Sequence, residues 1–597
     1  MPSSPNKLIQ FWRELKRRKV VHVITVYASA AFVIIELINN LAEPLHLPEN
    51  LAIIVIILLA VAFPLVVVLS WLYDLSSKGI EKTKALVEEK EEEAETSAVP
   101  NAWKIATIVS FAVIIGLVTF NIVGGTRGLR PGDIQSLAIL PFNNFTGDDQ
   151  LDWVAAGMHS SLIGDMGKVS GLRVLGQTTS NAYRDTDLTA SDIAKKHNVE
   201  AMVESTLTCY GDVVCVQVKV ITPYPEEKVL WVEDYMEDKS QILNLYNRMT
   251  REIADELKVN LTPQEESILA EARQVDPDAY DAYLKGIAYL DMFDPESWTL
   301  AIESFEKAIE IEPEWAAPYA GLAEVGTYMN QVYFGSESDR LRLIYENLNK
   351  ALELDPNSAE AHYVKAGTAA WVEHDWKKAE KEFLRALEIN PSLVRSHSFY
   401  AHMLSIQRRT DEALHHGRIS QELDPEGPFT LGLYGVVLYE AGKCQEALYY
   451  FEKGLSIAPD HPFCAGQLFK AYTCLGDYDR LFEYWKGFYL TLWEEYELTE
   501  LFEKVFREDG WIAYLEEAIR VNEEVWAKDG HLIPWVQAEN YLNMGKYDRA
   551  VDYFEIYYET NDRDPNLPYI SCKSMYDRLK GNQRYLELLK KMNLPID

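Results

Sequence analysis

Basic residues are scarce in this chain of 597 amino acids. Lys and Arg together number 57 against 92 Asp and Glu, for a formal charge of −35. An acidic surface repels phosphate, and counterion release needs clustered cations, so the balance argues against nucleic acid as a partner. Cysteine is also rare, at six residues with no Cys-x-x-Cys, which leaves structural zinc and thioredoxin-like redox sites without their ligand spacing. His-Glu-x-x-His, Gly-x-Ser-x-Gly and an EF-hand loop are all missing. No cofactor is expected, and an enzyme is disfavoured.

The stretch 136–168 reads as strand, glycine loop and helix, the arrangement in which many nucleotide-binding enzymes hold phosphate. A phosphate loop needs Gly-x4-Gly-Lys-Ser/Thr between strand and helix. Only Gly147 follows the strand "SLAILPF", and Asp148 and Asp149 come next, where an anion would be repelled. Gly167-Lys168 stands at the far end of the helix, with Val169 in the hydroxyl position and Leu162 in the first glycine position. Asp148, Asp149 and Asp152 read better as helix caps than as metal ligands. His415 and His416 are adjacent and diverge on a helix, and His397 and His402 are five apart, off the same-face spacing.

Three apolar runs, 20–41, 51–73 and 103–123, are each about the 20 residues that cross a bilayer as helix. Lys7, Arg13, Lys16, Arg17, Arg18 and Lys19 precede the first, and Lys78, Lys82, Lys84 and Lys90 follow the second, whereas "AEPLHLPEN" between them has no Lys or Arg. The positive-inside rule then predicts a multi-pass, lipid-embedded protein with a cytoplasmic N-terminus and its C-terminal domains on the far side.

Residues 131–262 give the order β-α-β-α-β-β-β-α, with alternating apolar residues on both sides of Gly211-Asp212 signalling a hairpin. A three-residue loop centred on Asp212 would set Cys209 opposite Cys215 for a disulfide; a two-residue turn would set Cys209 opposite Val214 and leave the thiols free. "SLAILPFNNFTGDDQLDWVAAGMHSSLIGDM", "GLRVLGQTTS" and "VLWVEDY" resemble the TolB/FlgO amino-terminal-like domain, with "ESTL" where that family often has "EGSV". The resemblance implies envelope assembly or sensing, without chemistry, and with it a bacterial inner membrane and a periplasmic far side.

The C-terminal half repeats. Ala301, Ala379, Ala413 and Ala447 each precede a proline by twelve residues, and Phe305, Phe383 and Phe451 precede it by eight. Pro391, Pro425 and Pro459 are 34 apart, the tetratricopeptide period, and 275–597 resembles a tetratricopeptide solenoid. In that frame the small Ala admits close helices, the aromatic fills the gap between repeats, and Pro ends the second helix. Gly367 and Gly435 would give the close approach in the first helix, and 476–530 is helical but degenerate. First helices would line a groove for a protein or peptide partner, at Trp371, Arg395, His402, Phe429 and Tyr439; the aromatics among them could equally be packing residues.

The whole is expected to be a multi-domain chain: a membrane region with three transmembrane helices (1–130), a small α/β TolB/FlgO-like domain (131–262), and an all-α tetratricopeptide solenoid (275–597). The function expected is a non-enzymatic, membrane-anchored interaction scaffold of the bacterial cell envelope. The alternative is a transmembrane signalling protein whose periplasmic repeats sense a partner.

Overall fold

A computed structural model describes the chain from residue 134 to 596, with gaps at 149–151, 185, 225–226, 271–274, 291, 293, 332–335, 493–495, 530–533, 561–565 and 573–574, together with 73–76, 79–82 and isolated positions between 23 and 63. Two compact units divide it, Met1–Arg127 and Gly128–Asp597. In the first, β1 (Tyr73–Ser76) and β2 (Gly79–Lys82) form an antiparallel hairpin.

Three membrane-crossing helices are the expectation that does not stand. No helix among the described residues is long and apolar enough to cross a membrane. Runs 20–41, 51–73 and 103–123 fall largely outside the described residues, and Tyr73, the end of the second, begins a strand. Lys82, counted above as a loop charge, pairs with Tyr73 in that hairpin. Window hydropathy counts apolar residues and is blind to such a change of period. The inner-membrane placement, the cytoplasmic and periplasmic sides assigned from it, and lipid as a partner fall with the helices.

In the second unit, β3 (Ser136–Ile139) is a short, wholly buried run, as expected of a strand covered on both faces. It pairs in parallel with β5 (Arg173–Val174) and β6 (Ala201–Tyr210), and β4 (Asn143–Asn144) also lies parallel to β6. Antiparallel β7 (Val213–Thr222) and β8 (Lys228–Asp238) complete the order β5-β3-β6-β7-β8. Helices α1 (Asp152–Met166) and α4 (Ile242–Leu257) cover one face, burying Met158, Leu162, Met249 and Ile253 against Leu137, Val203 and Val218. After the short α2 (Gln177–Asn181), α3 (Ala190–His197) covers part of the other with Ile193 and Ala194 against Met202 and Ile221. Its start is fixed by a capping box between Thr189 and Asp192, its end by Asn198 at φ 50°.

The hairpin keeps something of both expected registers. Leu207 faces Val216, the register that would bring Cys209 opposite Val214; a bulge between Leu207 and Cys209 advances the strand by one, and Cys209 faces Cys215. Their Cα atoms are 4.8 Å apart and the two are bonded.

From Pro277 onward the chain is antiparallel helix pairs. The second helices end at Ile311, Leu354, Ile389, Leu423 and Ile457, each two residues before a proline. Ala301, Ala379, Ala413, Ala447 and Ala550 are fully buried, as are Phe305, Phe383, Phe451 and Phe554. Gly435 does admit its neighbour: a Cβ there would stand 2.3 Å from the Phe451 ring. Gly367 does not, since a Cβ would meet nothing within 4 Å. The degenerate stretch holds Tyr478–Leu492 and the segment Tyr496–Asp529, broken into two helices at Gly510, φ 85°.

Candidate binding groove

The first helices Ala316–Gln331, Ala359–Trp371, Val394–Ile406 and Pro428–Glu440 supply the face on which the groove residues were expected. Along it the structure separates two environments. Toward the earlier repeats lies a small cleft lined by Thr327, Tyr363, Thr368, Trp371 and Phe399. Trp371 stands edge-on to both Phe383 and Phe399, with ring centroids 6.4 and 5.7 Å away. Arg395, half-buried in the next first helix, donates from Nη1 to Glu324 Oε1 at 2.6 Å. The same Glu324 oxygen accepts from the Tyr328 hydroxyl at 2.7 Å, and the guanidinium lies over the Tyr328 ring. A buried carboxylate is thereby paired and hydrogen-bonded, which its burial requires.

Toward the later repeats the same face is occupied by the end of the chain. His402 Nε2 donates to the Leu433 carbonyl at 3.0 Å, leaving Nδ1 to accept from the Tyr569 hydroxyl at 2.5 Å. Burial lowers the His402 pKa to about 4. The Tyr439 hydroxyl reaches Met575 Sδ at 3.4 Å. Ser571 Oγ donates to the Ile406 carbonyl at 2.6 Å, and Arg408 donates to the Ser571 carbonyl at 3.0 Å while ion-pairing with Asp577. Trp376 Nε1 donates to the Met592 carbonyl at 3.2 Å. Leu567, Ile570, Tyr576 and Leu589 are buried in this contact. Phe429, partly buried, sits between Phe399 and Phe463. The five expected residues therefore share one face but not one environment: Trp371, 7% exposed, lines the small cleft, Arg395 pairs with Glu324, Phe429 packs between rings, and His402 and Tyr439 meet the chain's own C-terminal segment.

The histidines do meet, in a way their spacing hides. His397 and His416 approach Nδ1 to Nδ1 at 2.9 Å, with His397 Nε2 donating to the Pro391 carbonyl at 3.0 Å, and burial lowers both to about 4. Among the described residues no group of His, Cys, Asp and Glu could hold a metal ion. In the loop after β4, Asn144 Nδ2 donates to the Asp148 carbonyl at 2.9 Å and to Asp152 Oδ1 at 2.8 Å, so polar contacts within the loop occupy the place where a nucleotide loop would hold phosphate. A second disulfide, Cys444–Cys474, ties two helices; 30 residues separate the pair, and only the antiparallel return of the chain brings them together.

One polar junction joins the sheet region to the repeats. Asp424, at the end of a second helix, accepts from Thr179 N at 2.9 Å, Thr179 Oγ1 at 2.7 Å and Thr430 Oγ1 at 2.7 Å. Burial pushes its carboxyl above the usual range, opposed by those hydrogen bonds. Around it, Gly176 N donates to the Leu423 carbonyl at 2.6 Å, Arg173 donates to the Glu422 carbonyl at 2.9 Å, and Lys196 pairs with Glu426 at 3.1 Å.

Fold and face define the class: a solenoid of tetratricopeptide-type helix pairs joined to a small α/β sheet. No protein-family model matches the chain. It is 27% identical over 239 residues to putative adenylate cyclase 3 of Rhizobium meliloti, covering 40% of each. Over 120 residues it is 34% identical to the type IV pilus assembly protein PilF of Pseudomonas aeruginosa, covering 20% of this chain and 47% of that one. The chain thus spans less than half the length of either curated relative. Among solved structures, the pilus biogenesis factor PilW matches with 18% identity and a TM-score of 0.30, covering 38% of this chain and 99% of its own.

Proposed function

We propose that the chain is a non-enzymatic interaction scaffold that holds an extended protein segment against the first helices of its earlier repeats. The observation that carries this is the division of one face. The part around His402 and Tyr439 is met by Tyr569 and Met575 of the C-terminal segment, whereas the small cleft at Trp371 and Phe399 keeps aromatic walls and a charged pair, Arg395 and Glu324, beside it. Aromatic walls with a nearby guanidinium are what hot spots of protein recognition use. Residues 275–597 would serve recognition. Residues 131–262, which resemble the TolB/FlgO amino-terminal-like domain, would serve as the adaptor fixed to it through Asp424. The relative from Rhizobium meliloti supports a second reading, a regulatory protein whose repeats sense the partner and pass the signal on. Replacing Thr368 with a photoreactive residue in the full chain tests the site: an adduct with a protein supports the proposal, and an adduct with RNA or none at all contradicts it.

A further inference from the structure

A second interaction surface lies on the sheet, away from the repeat groove and independent of its reading. Among the described residues, strand β8 pairs with β7 alone and forms one end of the strand order. It has eleven residues, about twice an average strand, so its outer edge is long. Lys239 N donates to the Asp212 carbonyl at 3.0 Å, which fixes the phase of the antiparallel ladder. Alternate pairs then carry the ladder bonds: Val214 with Glu237, Val216 with Tyr235, and Val218 with Glu233. Val232, Asp234 and Met236 therefore aim their N–H and C=O groups off the sheet.

Natural sheets blunt such edges with Lys, Pro or a covering element. Between 228 and 238 there is no proline, the single Lys228 stands at the strand's start, and the register shift lies at that same end, so past it only carboxylates guard the edge. The side chains on this face are open too, with Val232 46% and Met236 73% exposed. Between them Asp234 is held across the strand by Gln217 Nε2 at 2.8 Å.

We infer that β8 is a docking edge for an extended protein segment that adds as a further strand, with apolar residues alternating with a basic residue on the face of Val232, Asp234 and Met236. Charge selects this occupant over a second copy of the chain. Glu233, Asp234, Glu237 and Asp238 share the strand with Lys228 alone, so a second β8 laid alongside would set carboxylates near carboxylates. A segment with Lys or Arg opposite Asp234 reverses that repulsion, while its apolar residues cover Val232 and Met236. Backbone bonds supply affinity in this mode, and alternate side chains supply choice.

The test uses the full chain and a fluorescein-labelled, capped peptide, Thr-Val-Thr-Lys-Thr-Val-Thr, followed by anisotropy and by hydrogen exchange. Binding should slow exchange in the segment 228–238, and replacing the peptide's Lys with Glu should weaken it about tenfold. Met236→Pro, which removes an outward N–H and no ladder bond, should weaken it by about tenfold as well, whereas Met236→Ala keeps the N–H and should cost less. Asp234→Lys, a surface change that leaves the backbone alone, should also weaken binding, which keeps the test open if the proline variant does not fold. Equal binding of the Lys and Glu peptides, undiminished binding by Asp234→Lys, unchanged exchange at 228–238, or a dimer that Met236→Pro dissolves would each overturn the proposal.

Discussion

The first repeat packs Tyr280, Leu284 and Trp315 into the sheet's apolar core, whereas the later contact at Asp424 joins the same two regions by opposite means. Within the repeats, the recurring positions are buried Ala and Phe that interlock: Ala447 and Phe451 are fully enclosed, and Gly435 opens the space the ring enters. At the junction the central group is a carboxylate, Asp424, taken out of water and satisfied by Thr179 and Thr430. Apolar packing loses in proportion to the volume removed. A buried polar centre loses mainly when one partner is taken away and the others remain unsatisfied. The repeats should therefore respond to size and the junction to hydrogen bonding.

The largest effect expected is from Phe451→Ala, about 3–5 kcal/mol of stability, read from the denaturant midpoint. Ala447→Arg should be at least as disruptive, because no space exists for a long charged side chain. Asp424→Ala should cost about 1–3 kcal/mol by leaving the Thr179 N–H and two hydroxyls without their acceptor. It should also speed hydrogen exchange at 176–180 while the helix Cys444–Ile457 keeps its protection. Equal loosening of both segments would show that junction and repeats are a single cooperative body.

Acid offers a further way to sharpen the contrast. His159, His197, His397, His402 and His416 are each lowered by burial from 6.5 to about 4. An unfolded chain takes up these protons around 6.5, the folded one only near 4, so stability is full above 6.5 and is lost as pH falls from 6.5 toward 4. His402→Gln should flatten part of that slope. A slope unchanged by the substitution would mean that His402 does not titrate on unfolding in this window. Arg395→Ala should cost about 1–3 kcal/mol, since it takes the cation from a buried Glu324 that keeps only the Tyr328 hydroxyl.

The same contrast explains what could be read in advance. Ala, Phe and Pro at fixed intervals announce the helix pairs, because each repeat solves the same packing problem with the same residues. Alternation around Gly211-Asp212 announces the hairpin. The bulge that turns Cys209 toward Cys215 leaves no mark, since it shifts the register without changing composition. Thr179 reaches Asp424 across 245 residues, and His402 reaches Tyr569 across 167. Such pairs are made only when distant segments fold together, which no local window contains. Two of the five expected groove residues therefore face an occupant supplied by the chain. The three apolar N-terminal runs differ: run length and loop charge suggest spanning helices, and no helix among the described residues is long and apolar enough to cross a membrane.

The most direct test of the recognition face compares two photoreactive positions in the full chain, Thr368 in the small cleft beside Trp371 and Tyr439 under the C-terminal segment. A protein adduct should form from position 368, be lost in Arg395→Glu, and be absent from position 439, where only an internal link to 567–592 should appear. A partner captured at 439 and not at 368 would contradict the division of the face.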